Sequence, residues 1–240
     1  MNAFKNNIIA TDLDNTLVGD EEALRTLLHT IEGSFSTIFI TGRHKQSTLQ
    51  LLEAHEIPLP DILVCDAGAT IYTGPDFQQD IGWKQKTQAH WEPEHIKFIM
   101  TFLPSIAKHP VPNENRLSYT IQDENIVEAA KLQLKNAEIP CHCIYSSGKD
   151  FDILPEGANK GSALQYVIEQ YASETARVLA AGDSGNDEDM LTQGFPAVVV
   201  ANHQPELEKL RGYPNIHFAE HEFAAGILEG WEHFYSLVKK

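Results

Sequence analysis

One stretch constrains this chain more than any other: Ile8-Ile9-Ala10-Thr11-Asp12-Leu13-Asp14-Asn15-Thr16-Leu17, an apolar run that ends in two carboxylates one residue apart. Alternate residues of a strand point to the same face. An extended backbone here therefore projects Asp12 and Asp14 together from the strand's C-terminal end. Open α/β sheets bind their ligands at that end. Two like charges so close repel unless a proton or a cation intervenes. The pair points to a Mg2+ site, a shared-proton acid/base site, or both. The plain structural alternative is a turn residue at Asp12 and a helix cap at Asp14.

The rest of the chain supports the sheet. Asn7–Thr11 reads as the first strand. Asp20–Ile31 follows as a helix with Ala23, Leu24, Leu27, Leu28 and Ile31 at helical spacing. Strand Ser36–Ile40, helix Lys45–His55 and strand Asp61–Cys65 continue the alternation. This rhythm predicts an α/β fold, a doubly wound parallel sheet with right-handed crossovers. Between about Gly82 and Pro155 the rhythm breaks. Helix Pro93–Leu103, strand Arg116–Ile121, helix Ile126–Asn136 (Val127, Ala130, Leu132 and Leu134 inward) and strands Cys141–Tyr145 and Phe151–Leu154 make a small α+β unit. The alternation then resumes with helix Lys160–Tyr171 and strand Arg177–Ala181. Short elements follow: helix Glu188–Thr192, strand Ala197–Val200, helix Gln204–Leu210, strand Ile216–Ala219 and helix Ala224–Val238. The division expected is a core of residues 1–81 and 156–240, with 82–155 inserted as a smaller domain.

Composition excludes some functions. The chain has 240 residues, with 18 basic side chains against 34 acidic ones, a formal net charge of −16. That balance argues against a nucleic-acid partner held through phosphates. It leaves a phosphorylated small molecule open, because a cation and a few local Lys or Arg can invert the field of one pocket. Cys65, Cys141 and Cys143 are few and odd in number, which fits a reducing compartment. Cys141-His142-Cys143 has no second Cys/His cluster to complete a metal site. No signal peptide or membrane-spanning apolar run is visible, so a soluble, cytoplasmic protein is expected.

Three strand ends and one helix start carry chemical groups. Asp12 and Asp14 follow the first strand, and Thr41-Gly42-Arg43 the second. Gly182-Asp183-Ser184-Gly185-Asn186-Asp187 follows the strand Arg177–Ala181. Lys160 opens a helix, where a cation opposes the helix dipole unless an anion sits beside it. An exposed surface lysine is the plain alternative. Oxygen donors without His or Cys favour Mg2+ over zinc. Asp12, Asp183 and the Asp14 carbonyl are the expected ligands, with Asp187 and Asn186 orienting them. Arg43 faces either substrate or solvent. Phosphate monoester hydrolysis can demand up to ~10²¹-fold acceleration, while one preorganised donor supplies about 3–4 kcal/mol. Nucleophile, metal, lysine and acid must therefore act together.

Taken jointly, Asp12-Leu13-Asp14-Asn15-Thr16, Thr41, Lys160 and Gly182–Asp187 resemble the four motifs of the haloacid dehalogenase superfamily of phosphatases, in order. The resemblance implies that Asp12 attacks phosphorus to form an aspartyl-phosphate, and that Asp14 serves as acid and then base. It also implies that Thr41 and Lys160 hold the phosphoryl oxygens, and that Asp12, Asp14, Asp183 and Asp187 serve Mg2+. A closer likeness is to sucrose-phosphate phosphatases, carried by Asp12–Asp20, Ser146–Pro155, Asn159-Lys160-Gly161, Asn202–Leu207 and Ala224–Gly230. It implies that residues 82–155 form a cap whose hairpin brings Ser147, Gly148, Lys149 and Asp150 to the sugar. Thr41, Gly42, Arg43, Lys160 and Asn186 complete the implied substrate contacts. The implied reaction is release of sucrose from sucrose 6-phosphate. Mannosyl-phosphoglycerate or glucosylglycerol phosphate are alternatives, and a noncatalytic sugar-phosphate-binding module is a third. A transient contact with sucrose-phosphate synthase is a further implication. Asp66-Ala67-Gly68-Ala69 departs from the Gly-Ser/Thr or Asn-Gly pattern expected after the third strand.

Overall fold

The computed structural model describes residues 4–109 and 115–235. Its elements in chain order are β1 (Asn7–Thr11), α1 (Glu21–Ile31), β2 (Phe35–Ile40), α2 (Lys45–Ala54), β3 (Ile62–Cys65), β4 (Thr70–Thr73) and β5 (Gln78–Gln79). Then come α3 (Ile81–Gln88), α4 (Pro93–Met100), β6 (Ala107–His109), β7 (Leu117–Thr120), α5 (Glu124–Asn136), β8 (Cys141–Ser146) and β9 (Asp150–Pro155). The chain closes with α6 (Lys160–Tyr171), β10 (Arg177–Gly182), α7 (Glu188–Leu191), β11 (Ala197–Val199), β12 (Ile216–Phe218) and α8 (Phe223–Tyr235).

Among the described residues, eight strands form one sheet in the order β12-β11-β10-β1-β2-β3-β4-β5. Its first six strands are parallel, and the β3-β4-β5 edge is antiparallel. Both faces are covered, which is why the centre of β1, Ile8-Ile9-Ala10, is a continuous apolar run rather than an alternating one. Even-numbered Ile8 and Ala10 pack with Ala163, Leu164 and Val167 of α6. Odd-numbered Ile9 packs with Leu24, Leu27 and Ile31 of α1 and with Ile227 and Trp231 of α8. Asp20 caps α1 by accepting from the amides of Glu22 and Ala23.

The second sheet, β6-β7-β9-β8, is antiparallel and half-buried. Leu117, Tyr119, Phe151 and Ile153 face α4 and α5, burying Ile96, Met100, Val127, Ala130 and Leu134. Period-two alternation sends Ser118, Asp150 and Asp152 to the opposite face. That face looks onto the C-terminal edge of the large sheet.

Several expectations need correction. Leu132 is 57% exposed, on the outer face of α5, not inward. Helix α4 stops at Met100 rather than Leu103. Residues 205–210 form a 3-10 turn rather than an α-helix. Strands β5 and β6 and helix α3 carry too little periodicity to be foreseen. Helix α3 packs on the large sheet: Trp83 is 1% exposed in the core, and its indole N–H donates to the Gly68 carbonyl at 3.0 Å. The chain therefore crosses to the second sheet after Gln88, not at 82. The final helix is described only to Tyr235, and the expected continuation to Val238 lies outside the described residues. Asp66 and Ala67 both take left-handed φ, 54° and 55°. The departure from a Gly- or Asn-containing pattern is thus accommodated at a cost of about 1–2 kcal/mol per residue.

Candidate active site

Strand register gathers the site. Thr11 pairs with Ala181 on one side and with Phe39 on the other. Asp12, Asp183 and Thr41 therefore emerge together from β1, β10 and β2. Asp12 continues the even-numbered face of β1, toward α6. Lys160 begins α6 there, fully buried, and its Nζ donates to Asp12 Oδ1 at 2.6 Å and to Asp187 Oδ1 at 2.7 Å. The dipole cost of a cation in this first turn is offset by two carboxylates, while Asn159 and Ser162 close a capping box around the helix start.

The loop after β10 is wound around Asp187. Asp187 Oδ2 accepts from the amides of Asp183 at 3.0 Å and Ser184 at 3.1 Å. A Cβ at Gly182 would stand 2.5 Å from Asp187 Cβ, so only glycine admits this turn. Asp183 Oδ1 accepts from the Thr16 hydroxyl at 2.9 Å, tying the loop to the turn after β1.

Asp12, Asp183 and Asp187 lie together, buried, with one oxygen of each within 4.8 Å of the others. Burial pushes the Asp12 carboxyl well up; Lys160 opposes this, and Asp187 and Asp183 add to it. Burial and Asp187 push Asp183 up to about 7, against the Thr16 hydrogen bond and Lys160. Burial works to neutralise Lys160, but Asp12 and Asp187 outweigh it and hold the ammonium charged. Three carboxylates and one ammonium leave a formal charge of −2 in a buried space, which one divalent cation would cancel. The donors are all oxygens, so the cluster fits Mg2+.

The expected site residues sort into three groups. Asp12, Asp14, Gly42, Arg43, Ser147, Asp150, Asp183 and Asn186 line one cavity of about 450 Å³. Thr41, Lys160 and Asp187 are fully buried rather than part of its wall. The Thr41 hydroxyl accepts from the Arg43 amide at 3.1 Å. Gly148 and Lys149 sit exposed at the hairpin tip, outside the lining. Asp14 stands apart from the carboxylate cluster: Arg43 donates to its two oxygens from Nε and Nη2 at 2.6 and 2.7 Å. Both Asp187 oxygens accept, Oδ1 from Lys160 and Oδ2 from the loop amides, so the side chain ties the lysine to the loop.

Sequence reasoning missed the wall contributed by the second sheet. His109, Arg116, Ser118 and Asp152 line the cavity. Arg116 Nη1 donates to Asp152 Oδ2 at 3.0 Å, with the side chains only 12% and 7% exposed. Among the described residues, Arg116 Nε and Asp152 Oδ1 are buried without a hydrogen-bond partner. A donor-bearing Arg116 and an acceptor-bearing Asp152 in one cavity wall suit a hydroxyl, which needs both. The usable signal was alternation, since polar Arg116, Ser118, Asp150 and Asp152 interleave with apolar Leu117, Tyr119, Phe151 and Ile153.

The chain matches the sucrose-6F-phosphate phosphohydrolase family over residues 5–235. It belongs to the sucrose-phosphatase family. Family members are phosphoric monoester hydrolases. A solved sucrose-phosphatase from Synechocystis sp. PCC6803, in complex with sucrose and phosphate, is 31% identical with a TM-score of 0.90, covering 96% of this chain and 98% of that one. A haloacid dehalogenase-like hydrolase from Bacillus subtilis, 19% identical with a TM-score of 0.70, shares the fold over 98% of this chain and 94% of its own. Glucosylglycerol-phosphate synthase of Pseudomonas anguilliseptica is 32% identical over 97% of the chain, and mannosylfructose-phosphate phosphatase of Agrobacterium fabrum 27% over 95%. Sucrose-phosphatase 1 of Nicotiana tabacum is 29% identical over 95% of the chain. The chain spans 31%, 96% and 59% of the lengths of these three relatives, respectively. Among the described residues, no helix is long and apolar enough to cross a membrane.

Proposed function

We propose that this member of the sucrose-phosphatase family is a Mg2+-dependent phosphatase that releases sucrose and phosphate from sucrose 6-phosphate. One observation carries the reading: buried Lys160 binds Asp12 and Asp187 beneath a cavity whose opposite wall is the polar face of the second sheet. Residues 1–88 and 156–240 act as the catalytic core, and the segment between them acts as the cap.

Lys160 takes Asp12 Oδ1, which leaves Oδ2 to attack phosphorus. The P–O bond to the sugar breaks as the Asp12–phosphorus bond forms, giving an aspartyl-phosphate. Asp14, whose two oxygens are held by Arg43 in this structure, would leave that pair in its protonated form and protonate the departing sugar oxygen. It then takes a proton from the water that attacks phosphorus, which frees phosphate and restores Asp12. Lys160 has a third donor for a phosphoryl oxygen, and Thr41 and the Gly42 loop border the same oxygens. Asp12, Asp183 and the Asp14 carbonyl would hold Mg2+, with Asp187 orienting them. When bound, the ion neutralises charge on the phosphoryl group. Arg116 and Asp152 read the sugar hydroxyls, beside Ser147 and Asp150 of the hairpin. The same reading places the protein in the cytoplasm, where a sucrose-phosphate synthase would supply its substrate through transient contact.

A second reading keeps this chemistry and changes the sugar to glucosylglycerol phosphate, in view of the relative named for it. The test is phosphate release from a panel of sugar phosphates, with Mg2+ and with EDTA. Sucrose 6-phosphate should give the highest kcat/KM, and EDTA should abolish release. Preference for another sugar phosphate overturns the substrate, and full activity in EDTA overturns the metal. Within the panel, Arg116→Ala should raise KM for the preferred substrate about 10- to 100-fold, the scale of about 1.4–2.8 kcal/mol lost with a charged hydrogen-bonding group. Lys149→Ala, at the exposed tip, should change KM less than threefold. The reverse order would return recognition to the hairpin tip.

A further inference from the structure

Glu206 stands outside the cavity lining, yet it touches both halves of the molecule. It lies in the first turn of the 3-10 segment Pro205–Leu210 of the core. Its Oε1 accepts from the Gly185 amide at 2.6 Å, inside the loop that carries Asp183 and Asp187. The same carboxylate accepts from the Ser147 amide of the cap hairpin, with both oxygens at 3.2 Å. One side chain thus joins backbone from three segments far apart in sequence. The approach is close: a Cβ at Gly185 would lie 2.5 Å from Glu206 Oε1, so a side chain there would displace the carboxylate from this contact. The segment is itself anchored. The Gln204 amide donates to the Asp183 carbonyl at 2.7 Å. Asn202 Nδ2 donates to the Asn15 carbonyl at 2.6 Å, and Asn202 Oδ1 accepts from the Phe223 amide at 3.0 Å.

We propose that Glu206 is a positioning residue that latches the cap hairpin onto the aspartate loop of the core. A carboxylate can hold two amides at once because it offers two oxygens and no donor to repel them. Closing the cap brings the Ser147 amide to a group already fixed on Gly185. The cap's position and the conformation of the Asp183–Asp187 loop are thereby coupled through one side chain. The coupling is reciprocal: a sugar that seats the hairpin also steadies the loop, and a loop in working order also holds the hairpin. This inference rests on the phosphatase reading only for its kinetic arm.

The test uses the whole chain in two variants, Glu206→Ala and Glu206→Gln. Amide hydrogen exchange is the first readout. In Glu206→Ala, exchange at Ser147 and at Gly185 should both accelerate at least tenfold, with the strand β10 amides unchanged. Glu206→Gln, which keeps one acceptor oxygen, should give intermediate rates at these two positions. The second readout is kinetic. Glu206→Ala should raise KM for the best sugar phosphate of the panel about tenfold and lower kcat less. It should affect p-nitrophenyl phosphate, which has no sugar for the cap to hold, at most a third as much. Unchanged exchange at Ser147 overturns the latch, and so does an equal loss on both substrates. If no sugar phosphate is hydrolysed, the functional reading fails while the exchange rates still decide for or against Glu206.

Discussion

Asp12→Asn should lower kcat by about four to six orders of magnitude, the scale seen when a nucleophile is removed from a set of groups that act as a unit, while the protein stays folded. An amide keeps the size of the carboxylate and can still accept from Lys160, but it does not attack phosphorus. The substitution also removes one of three crowded buried carboxylates, so the melting temperature should be retained or rise. Stopped-time phosphate release and a thermal melt check both halves. Turnover within tenfold of the parent would end the assignment of Asp12 as nucleophile.

Lys160→Met should have the largest effect on stability. The ammonium is fully buried between Asp12 and Asp187. Removing one partner of such a network leaves unpaired buried charge, at about 3–5 kcal/mol. For a chain of this length that corresponds to a melting temperature lower by roughly 10 °C. Turnover should vanish with it. Mg2+ should raise the melting temperature of the variant more than that of the parent, because the cation answers a larger uncompensated charge. The double variant Asp12→Asn with Lys160→Met should recover part of the lost stability, since it removes a charge of each sign. A single variant that melts with the parent would show that Lys160 does not neutralise the cluster.

The legible part of the molecule was the part with strong local periodicity. The apolar strands β1, β2, β3 and β10 and the helices α1, α2, α5 and α6 announce themselves, because each must bury a face against a neighbour. Short elements without an apolar run do not: β5 (Gln78-Gln79) and β6 (Ala107-Lys108-His109) are two and three mostly polar residues, whereas the equally short β11 is apolar throughout. Helix α3 hides because its burial depends on Trp83 alone in its first turn, with Thr87 one turn on. Leu132 was misjudged for a related reason. Apolar residues need not be inside, and helical spacing alone does not say which face is covered.

The site divides along the same line. Asp12, Asp14, Thr41, Lys160 and Asp183 could be read as chemistry because each sits where an element starts or stops, and such ends are where sheets of this class collect function. The spacing Asp12-x-Asp14, the out-of-place Lys160 and the glycine-rich turn at 182–187 are local facts, legible without the fold, and jointly they carry the family resemblance that implies the reaction class. Tertiary structure alone decided the partners: that Lys160 rests on Asp12 and Asp187, that Arg43 engages Asp14, and that Arg116 and Asp152 line the wall opposite the carboxylates while Lys149 does not. It also decided that Glu206 bridges the cap and the aspartate loop. The reason is distance along the chain. Glu206 lies 59 residues from Ser147 and 21 from Gly185. A contact of that kind is fixed by strand order and register, which emerge only when every buried face has found its neighbour.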